Sequence, residues 1–427
     1  MAATLLTGGR IIDPATGTDI VGDLLLENGV VSKIGKKLKV PKAKTIEVKG
    51  HVVCPGLFDM HVHLREPGRE DKETLETGLS AALAGGVTSV LSMPNTAPLA
   101  DNQTVVEFQL SRARKLDLAR LYVSGRITKE GRKLAEMWEL KTAGAVAVTD
   151  DSGDVNDECL LLHALEWAKT FDLPLINHAD MESLSHGGVM HEGKVSALLG
   201  VPGIPHSSEV MAVHRSIILA EETDARLHIT HISCEGSVDA VRQAKRRGVR
   251  VTADVTPHHV GLTCEECIGW RTNAKMHPPL REEADRRACL KGLKDGTIDA
   301  IATDHAPHLV SEKLLPFQAA PIGTVGLETF FAAVNTHVVK AGVLSLPEAI
   351  AKMTLAPARI LGVPGGSLEP GQPADVAVFD PEATWTVDPS TFLSKGRNSA
   401  FAGKTLVGKP AYTFVGGVLK ADHGRVL

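Results

Sequence analysis

What this chain lacks narrows its class before any motif is read. No apolar run approaches the roughly 20 residues that cross a bilayer, so no membrane span is expected. Met1-Ala2-Ala3-Thr4-Leu5-Leu6 offers no charged segment ahead of a long apolar core, which argues against a secretory signal and for a cytoplasmic location. No block of five or more basic residues interrupts the chain, and the formal charge is −5. Neither a nucleic acid nor a membrane surface is therefore an expected partner, and any anion site must come from local residues. The densest basic cluster, Lys245-Arg246-Arg247 before Gly248, reads as a helix C-terminus, where the helix dipole favours positive charge. Cysteine is sparse and scattered. The single CxxC, Cys264-Glu265-Glu266-Cys267, has no second pair to complete a zinc site, so reduced thiols are expected.

What is present is a soluble composition, 43% hydrophobic and 23% charged, over 427 residues. That length suggests one large domain of roughly 250 to 300 residues with a smaller companion. Both ends of the chain read as short strands and turns: Leu5 to Ile12, Asp23 to Glu27, Val30 to Ile34 and Thr45 to Val48 at one end, and Ala374 to Phe379, Ala411 to Val415 and the stretch after Gly416-Gly417 at the other. The expectation is a small antiparallel β-sandwich domain built from residues 1–55 plus 365–427. Between them, apolar runs alternate with helical patterns. Candidate strands begin at Leu57, Val87, Ala119, Ala145, Leu173, Arg226, Val249 and Ala300; the helices include Lys72 to Ala84 and Asn102 to Lys115. Eight strands, each followed by a helix or a long loop, predict a (β/α)8 barrel over residues 56–364.

Barrel chemistry sits at the C-terminal ends of strands, so polar residues there are the candidates. Strand one runs into His61 and His63, whose i, i+2 spacing turns both imidazoles to one side, with Arg65 two residues on. Strand two ends at Asn95, strand four at Asp150 and Asp151, strand five at Asn177 and His178. Strand six ends at His231, and strand eight at Asp304, His305 and His308. Five strands delivering His or Asp where their apolar runs stop is what a metal centre at a barrel mouth requires. Neutral imidazole and carboxylate suit zinc.

His61-Val62-His63-Leu64-Arg65-Glu66-Pro67-Gly68, Met93-Pro94-Asn95-Thr96, Asn177-His178, Thr230-His231, Thr303-Asp304-His305-Ala306-Pro307-His308 and Gly326-Leu327-Glu328-Thr329 resemble the amidohydrolase superfamily, and within it the bacterial dihydroorotases, over nearly the whole chain. The resemblance implies reversible closure of N-carbamoyl-L-aspartate to L-dihydroorotate in pyrimidine synthesis, with one or two zinc ions, two being favoured. His61, His63 and Asp304 are implied to hold one ion, and His178 and His231 a second, with a strand-four carboxylate bridging. A metal-activated hydroxide is the implied nucleophile and Asp304 the general acid and base. Arg65, Asn95 and His308 resemble the substrate-carboxylate clamp, with His63 close enough to touch substrate, and backbone at Ile322-Gly323 is implied to contact the ring.

Two departures matter. Many amidohydrolases bridge their metals with a carbamylated lysine after strand four, but Val148-Thr149-Asp150-Asp151 contains none and resembles the branch with an aspartate there. Adjacent strand residues face opposite sides, so only one of the pair can serve. The residues alone leave Asp150 and Asp151 open, and the family match favours Asp151. Secondly, His277 stands where the family shows a substrate-contacting asparagine. His258 and His259, after strand seven, are expected to support or pack rather than ligate. The loop Pro307 to Gly326 carries too much Pro and Gly for a long helix and is expected to lie over the barrel mouth. A hydantoinase or allantoinase is the rival of the same class, against which Arg65 and Asn95 weigh, since a carboxylate clamp is idle without a carboxylate. A catalytically dead subunit scaffolding aspartate transcarbamoylase is the rival of another class, and the complete ligand set weighs against it. A homodimer, and association with aspartate transcarbamoylase, remain compatible with the sequence.

Overall fold

The computed structural model describes residues 3–427. Eight parallel strands stand side by side in chain order: Leu57–Val62, Val87–Ser92, Arg120–Gly125, Ala145–Thr149, Leu175–Asn177, Leu227–Ile229, Val251–Val255 and Ala300–Ile301, referred to below as barrel strands one to eight. The ring closes just past strand eight. His305 makes a parallel bridge to Val62, the His63 N–H donates to the His305 carbonyl (2.8 Å), and the His305 N–H donates to the His61 carbonyl (3.3 Å). Strands one and two are buried along their whole length, as expected of parallel strands covered by helices.

The expected helices form, with one displaced start that bears on the site. The first helix is Leu75–Ala84 rather than beginning at Lys72. Thr74 is its N-cap: its hydroxyl accepts from the Thr77 amide and the Thr77 hydroxyl accepts in return from the Thr74 amide, a reciprocal cap that ends the helix there. Lys72 therefore belongs to the loop before it and is free to turn toward the barrel mouth.

Strands from both chain ends join in one nine-stranded sheet. Most neighbours are antiparallel, as expected. The exceptions are Lys44–Glu47 and Val52–Pro55, both parallel to Thr4–Asp13 and lying along successive halves of it. The register of Thr4–Asp13 shifts between Leu6 and Gly9, and a side chain at Gly9 would meet Val53 at 2.8 Å and Val48 at 3.0 Å, so a glycine kink divides the strand between its two partners. Hairpin signals such as Asn28-Gly29 reveal antiparallel neighbours only, whereas a parallel pair leaves no local mark in sequence. The sheet packs on the barrel through Phe379, stacked on Phe331 at 3.9 Å between centroids.

Candidate metal centre and substrate pocket

The strand ends bring His61, His63, Asp151, His178, His231 and Asp304 into one buried group. Asp151 lies at its centre. Its Oδ2 is 3.4 Å from His61 Nε2 and 3.5 Å from His63 Nε2, while its Oδ1 is 3.2 Å from His178 Nδ1 and 3.5 Å from His231 Nε2. Each oxygen thus faces one histidine pair. Asp304 Oδ1 adds a further acceptor, 3.1 Å from His63 Nε2 and 3.5 Å from His61 Nε2. Asp150 turns the other way. It accepts from the amides of Ile127 (2.9 Å) and Thr128 (3.0 Å) and from the Thr128 hydroxyl, with Arg126 Nε at 3.2 Å.

The donor set fits a metal by its own geometry. Four donors around a zinc ion with bonds of 2.0–2.1 Å stand roughly 3.3 Å apart, the spacing seen across this group. His61 Nε2 is buried without a hydrogen-bond partner, although two carboxylates face it. Burial disfavours charge on His61, but Asp151 and Asp304 outweigh it and raise its pKa to about 10. Burial likewise opposes ionisation of Asp151 and Asp304, yet the surrounding imidazoles hold both well below the usual carboxylate range. The site is built to hold positive charge between anionic oxygens. Its backbone is also strained: Arg65, His231 and Asp304 adopt positive φ of 62°, 39° and 49°, a left-handed region that non-glycine residues rarely occupy and that concentrates at functional sites.

Beside this group lies a cavity of about 200 Å³ lined by His63, Arg65, Asn95, His277, His308 and Gly323, with Ile322 and Asp304 also on its wall. It is smaller than the roughly 300–1,000 Å³ of drug-sized sites and suits a small ligand. Arg65 Nε is buried and unpartnered, and burial lowers its pKa to about 10, so the guanidinium stays charged near neutrality. Lys72 Nζ donates to His308 Nδ1 (3.1 Å), which puts the ring proton on Nε2. Burial and the charges of Arg65, Lys72 and Lys313 push the pKa of His308 down to about 2, so it is a neutral donor. Gly323, at φ 121°, has Ala306 Cβ 2.8 Å and His308 Nε2 3.3 Å from where a side chain would begin, so this wall requires glycine. Asn95 has a second contact: its Oδ1 accepts from His63 Nδ1 (2.9 Å), leaving His63 Nε2 as the lone-pair nitrogen. His277 stacks on His178 (5.2 Å between centroids) and its Nε2 lies 3.2 Å from Asp180 Oδ2.

Other sequence features fall outside this centre. His259 bonds to Thr256 (2.8 Å) and to the Pro278 carbonyl (3.0 Å), and His258 is buried beside it, ring centroids 4.6 Å apart, with its Nε2 unpartnered. The loop after strand eight holds only a four-residue helix, Val310–Lys313, and two lysines pin it: Lys275 Nζ to the carbonyls of Phe317, Gln318 and Ala320, and Lys313 Nζ to those of Thr272 and Pro321. A further His/carboxylate group, His191, His206 and Asp285, is a poor cation site, because Arg281 Nη1 donates to His191 Nδ1 (3.3 Å), which forces the ring proton onto Nε2 and sets a fixed positive charge alongside. Sequence reading missed Lys72, which looked like helix, and Asp254 of strand seven, whose apolar run carried no histidine at its end. Asp254 accepts from His228 Nε2 (2.8 Å), the Thr230 hydroxyl (3.1 Å) and the His231 amide (2.6 Å).

Comparison with known proteins agrees with this architecture. The profile of the amidohydrolase family matches residues 52–420. Dihydroorotases from Pelotomaculum thermopropionicum and Geobacter metallireducens are each 49% identical to this chain, over 97% of it and over 97% and 98% of their own lengths. Among solved structures, an L-hydantoinase from Arthrobacter aurescens superposes with a TM-score of 0.90 at 24% identity, covering 100% of this chain and 98% of its own. A dihydropyrimidinase from Brevibacillus agri gives 0.85 at 20%, with 100% and 96% covered. These likenesses establish the shared fold.

Proposed function

The chain belongs to the amidohydrolase family, on its dihydroorotase branch, and we propose that this cyclic amide hydrolase interconverts N-carbamoyl-L-aspartate and L-dihydroorotate in cytoplasmic pyrimidine synthesis. The observation that carries the reading is the placement of Asp151, one oxygen toward His61 and His63 and the other toward His178 and His231, beside a cavity containing the unpartnered Arg65. His61, His63 and Asp304 would hold one zinc ion and His178 and His231 a second, with the Asp151 carboxylate available to both. When bound, zinc supplies Lewis acidity and a nucleophile available near neutral pH.

The side chains do the rest. Arg65 clamps the substrate carboxylate through its free guanidinium face, and His308 adds its Nε2–H, the tautomer that Lys72 imposes. Asn95 both borders the carboxylate and keeps the proton of His63 on Nδ1. The backbone of Ile322 and Gly323 approaches the ring where no side chain fits at residue 323. His277 takes the position of the family's asparagine. With its Nε2–H given to Asp180, it offers Nδ1 as an acceptor for a ureido N–H. Asp304, ionised and at the cavity wall, accepts the proton of the attacking water and returns it to the leaving ring nitrogen. A hydantoinase-like substrate without a carboxylate would leave the buried Nε of Arg65 unpaired, a costly arrangement for a charged group.

The test is hydrolysis of L-dihydroorotate and cyclisation of N-carbamoyl-L-aspartate by purified protein, with zinc measured on the same sample. Turnover with zinc bound is expected. Zinc-loaded protein that turns over a hydantoin and not dihydroorotate would overturn the assignment.

A further inference from the structure

Barrel strand seven contributes none of the six residues facing the centre, yet its Asp254 reaches two of them. The carboxylate is buried, 1% exposed, and accepts three hydrogen bonds: at Oδ2 from His228 Nε2 (2.8 Å) and the Thr230 hydroxyl (3.1 Å), and at Oδ1 from the His231 amide (2.6 Å). His228 is itself fixed, its Nδ1 lying 2.8 Å from the Thr252 hydroxyl. Thr230 is 2% exposed and its hydroxyl stands 2.8 Å from His61 Nδ1.

The direction of each bond follows from counting hydrogens. An ionised carboxylate only accepts, so the single hydroxyl hydrogen of Thr230 goes to Asp254. What Thr230 presents to His61 is then a lone pair, and His61 Nδ1 must carry a proton. When a metal displaces the second ring proton, the lone pair of the neutral ring is left on Nε2, the atom that is buried without a partner and faces Asp151 and Asp304. On its other side, Asp254 grips the backbone of His231, whose φ of 39° is strained for a residue with a side chain. A short amide bond to a carboxylate offsets that strain and holds the His231 ring where its Nε2 meets Asp151.

We propose that Asp254 is a positioning residue that sets two metal-facing histidines at once, His61 through the Thr230 hydroxyl and His231 through its amide. The inference rests on the zinc site assigned above. Asp254 and Thr230 touch neither substrate nor metal in this arrangement. Their effect passes through ring tautomer and backbone conformation, so it registers first as zinc affinity, for which the loss of such an outer partner is typically about 10- to 100-fold.

The competing account is that Asp254 only ties strands six and seven together through His228, in which case its loss lowers stability and leaves zinc alone. Thr230→Val separates the two, because it keeps the shape of the side chain and leaves the Asp254 bonds to His228 and to the His231 amide intact. Zinc affinity of purified protein, read by competition with a chromophoric chelator, is expected to fall roughly 10- to 100-fold in Thr230→Val and to return in Thr230→Ser, which restores the hydroxyl. Asp254→Asn is expected to fall further, since both connections weaken, and Thr230→Val/Asp254→Asn should be no weaker than Asp254→Asn alone. Wild-type zinc affinity in a folded Thr230→Val protein overturns the relay, as do losses that simply add in the double variant. If Asp254→Asn does not fold, Thr230→Val and its serine rescue decide the matter by themselves. A wild-type protein that binds no zinc and does not turn over dihydroorotate refutes the assigned function as well, whereas an active, zinc-loaded wild type with an unaffected Thr230→Val refutes this inference only.

Discussion

Asp150 and Asp151 are adjacent, identical in chemistry and both buried, so replacing each with asparagine isolates geometry from composition. Asp150 accepts from two backbone amides, from the Thr128 hydroxyl, and faces Arg126 at 3.2 Å. An asparagine can keep its carbonyl oxygen on the two amides, and the Thr128 hydroxyl can turn to accept from the new NH₂. What is lost is the charge opposite Arg126, and a weakened buried charge-assisted bond costs about 1–3 kcal/mol. Such a loss lowers the midpoint of thermal unfolding by several degrees at most in a protein of this size. Zinc content should be unchanged. In Asp151→Asn one of the two acceptors becomes an NH₂ aimed at the lone pairs of a histidine pair, and the centre loses a negative charge. Zinc affinity should then fall by more than the roughly 10- to 100-fold typical of an outer partner, and hydrolysis should fall with it. The assays are zinc per chain after gel filtration, dihydroorotate turnover and a thermal melt on each variant. Full zinc occupancy in Asp151→Asn, with zinc lost from Asp150→Asn, would refute the reasoning.

Two further outcomes follow from single side chains. Arg65→Met should impair dihydroorotate turnover by roughly 2–3 kcal/mol in kcat/KM, the scale of a lost charge-assisted contact, and spare a cyclic amide that lacks the carboxylate. Equal losses on both substrates would make the arginine structural. Glu328 gives a pH-dependent outcome: burial raises its pKa from 4.5 to about 7, against the amides of Leu393 and Ser394 that it accepts from. The folded state then binds the proton more tightly than the unfolded one, so this group's contribution to stability is full below pH 4.5 and is lost as pH rises through 7. The loss is at most about 3 kcal/mol and is reduced by the partial exposure of the side chain. Glu328→Gln should flatten that slope in thermal melts between pH 4.5 and 7, and an unchanged slope would show that another group sets it.

The barrel was legible because most strands are compact apolar runs and several helices start at a side-chain cap, as at Thr74, Asn102 and Asp157. His61 and His63 were legible because period-2 spacing on a strand leaves little freedom in where two side chains point. From spacing alone the strand-four pair was legible only as a pair, and it was the family resemblance that favoured Asp151. Alternation says that one carboxylate faces the mouth, but which one depends on where the strand stops, here at Thr149, and on the Ile127 and Thr128 amides that capture Asp150. Lys72 was illegible because a helix periodicity runs straight through it, and only the Thr74 cap assigns it to the loop. Asp254 gave no signal at all. Its work is done through Thr230 and a backbone amide, and no spacing in sequence encodes a contact made from one strand to the residues at the end of its neighbour. The parallel pairs of the terminal sheet were hidden for the same reason, since a crossover connection leaves no turn motif behind.

The terminal sheet is more than a companion to the barrel, because the chain between its strands Val376–Thr386 and Thr405–Val415 crosses to the barrel mouth. There the Leu393 amide donates to Glu328 (2.9 Å), and the Ser394 hydroxyl and Lys395 amide donate to Glu73, which also faces His305 at 3.4 Å. Asn398, 1% exposed, uses its whole amide on the strand-eight loop: Oδ1 accepts from the His308 amide (3.0 Å), and Nδ2 donates to the carbonyls of Ala306 (2.9 Å) and Gly323 (3.0 Å). His308 and Gly323 are both walls of the cavity. An amide with one acceptor and two donors satisfied at once admits a single orientation, so the spacing between these walls is set by a residue 90 and 75 positions away from them in sequence. The residues of the candidate metal centre come from the ends of barrel strands alone, whereas the shape of the adjoining cavity depends on both parts of the chain. Contacts of this kind make the small sheet a structural element of the site and explain why the chain returns to it after the barrel is complete.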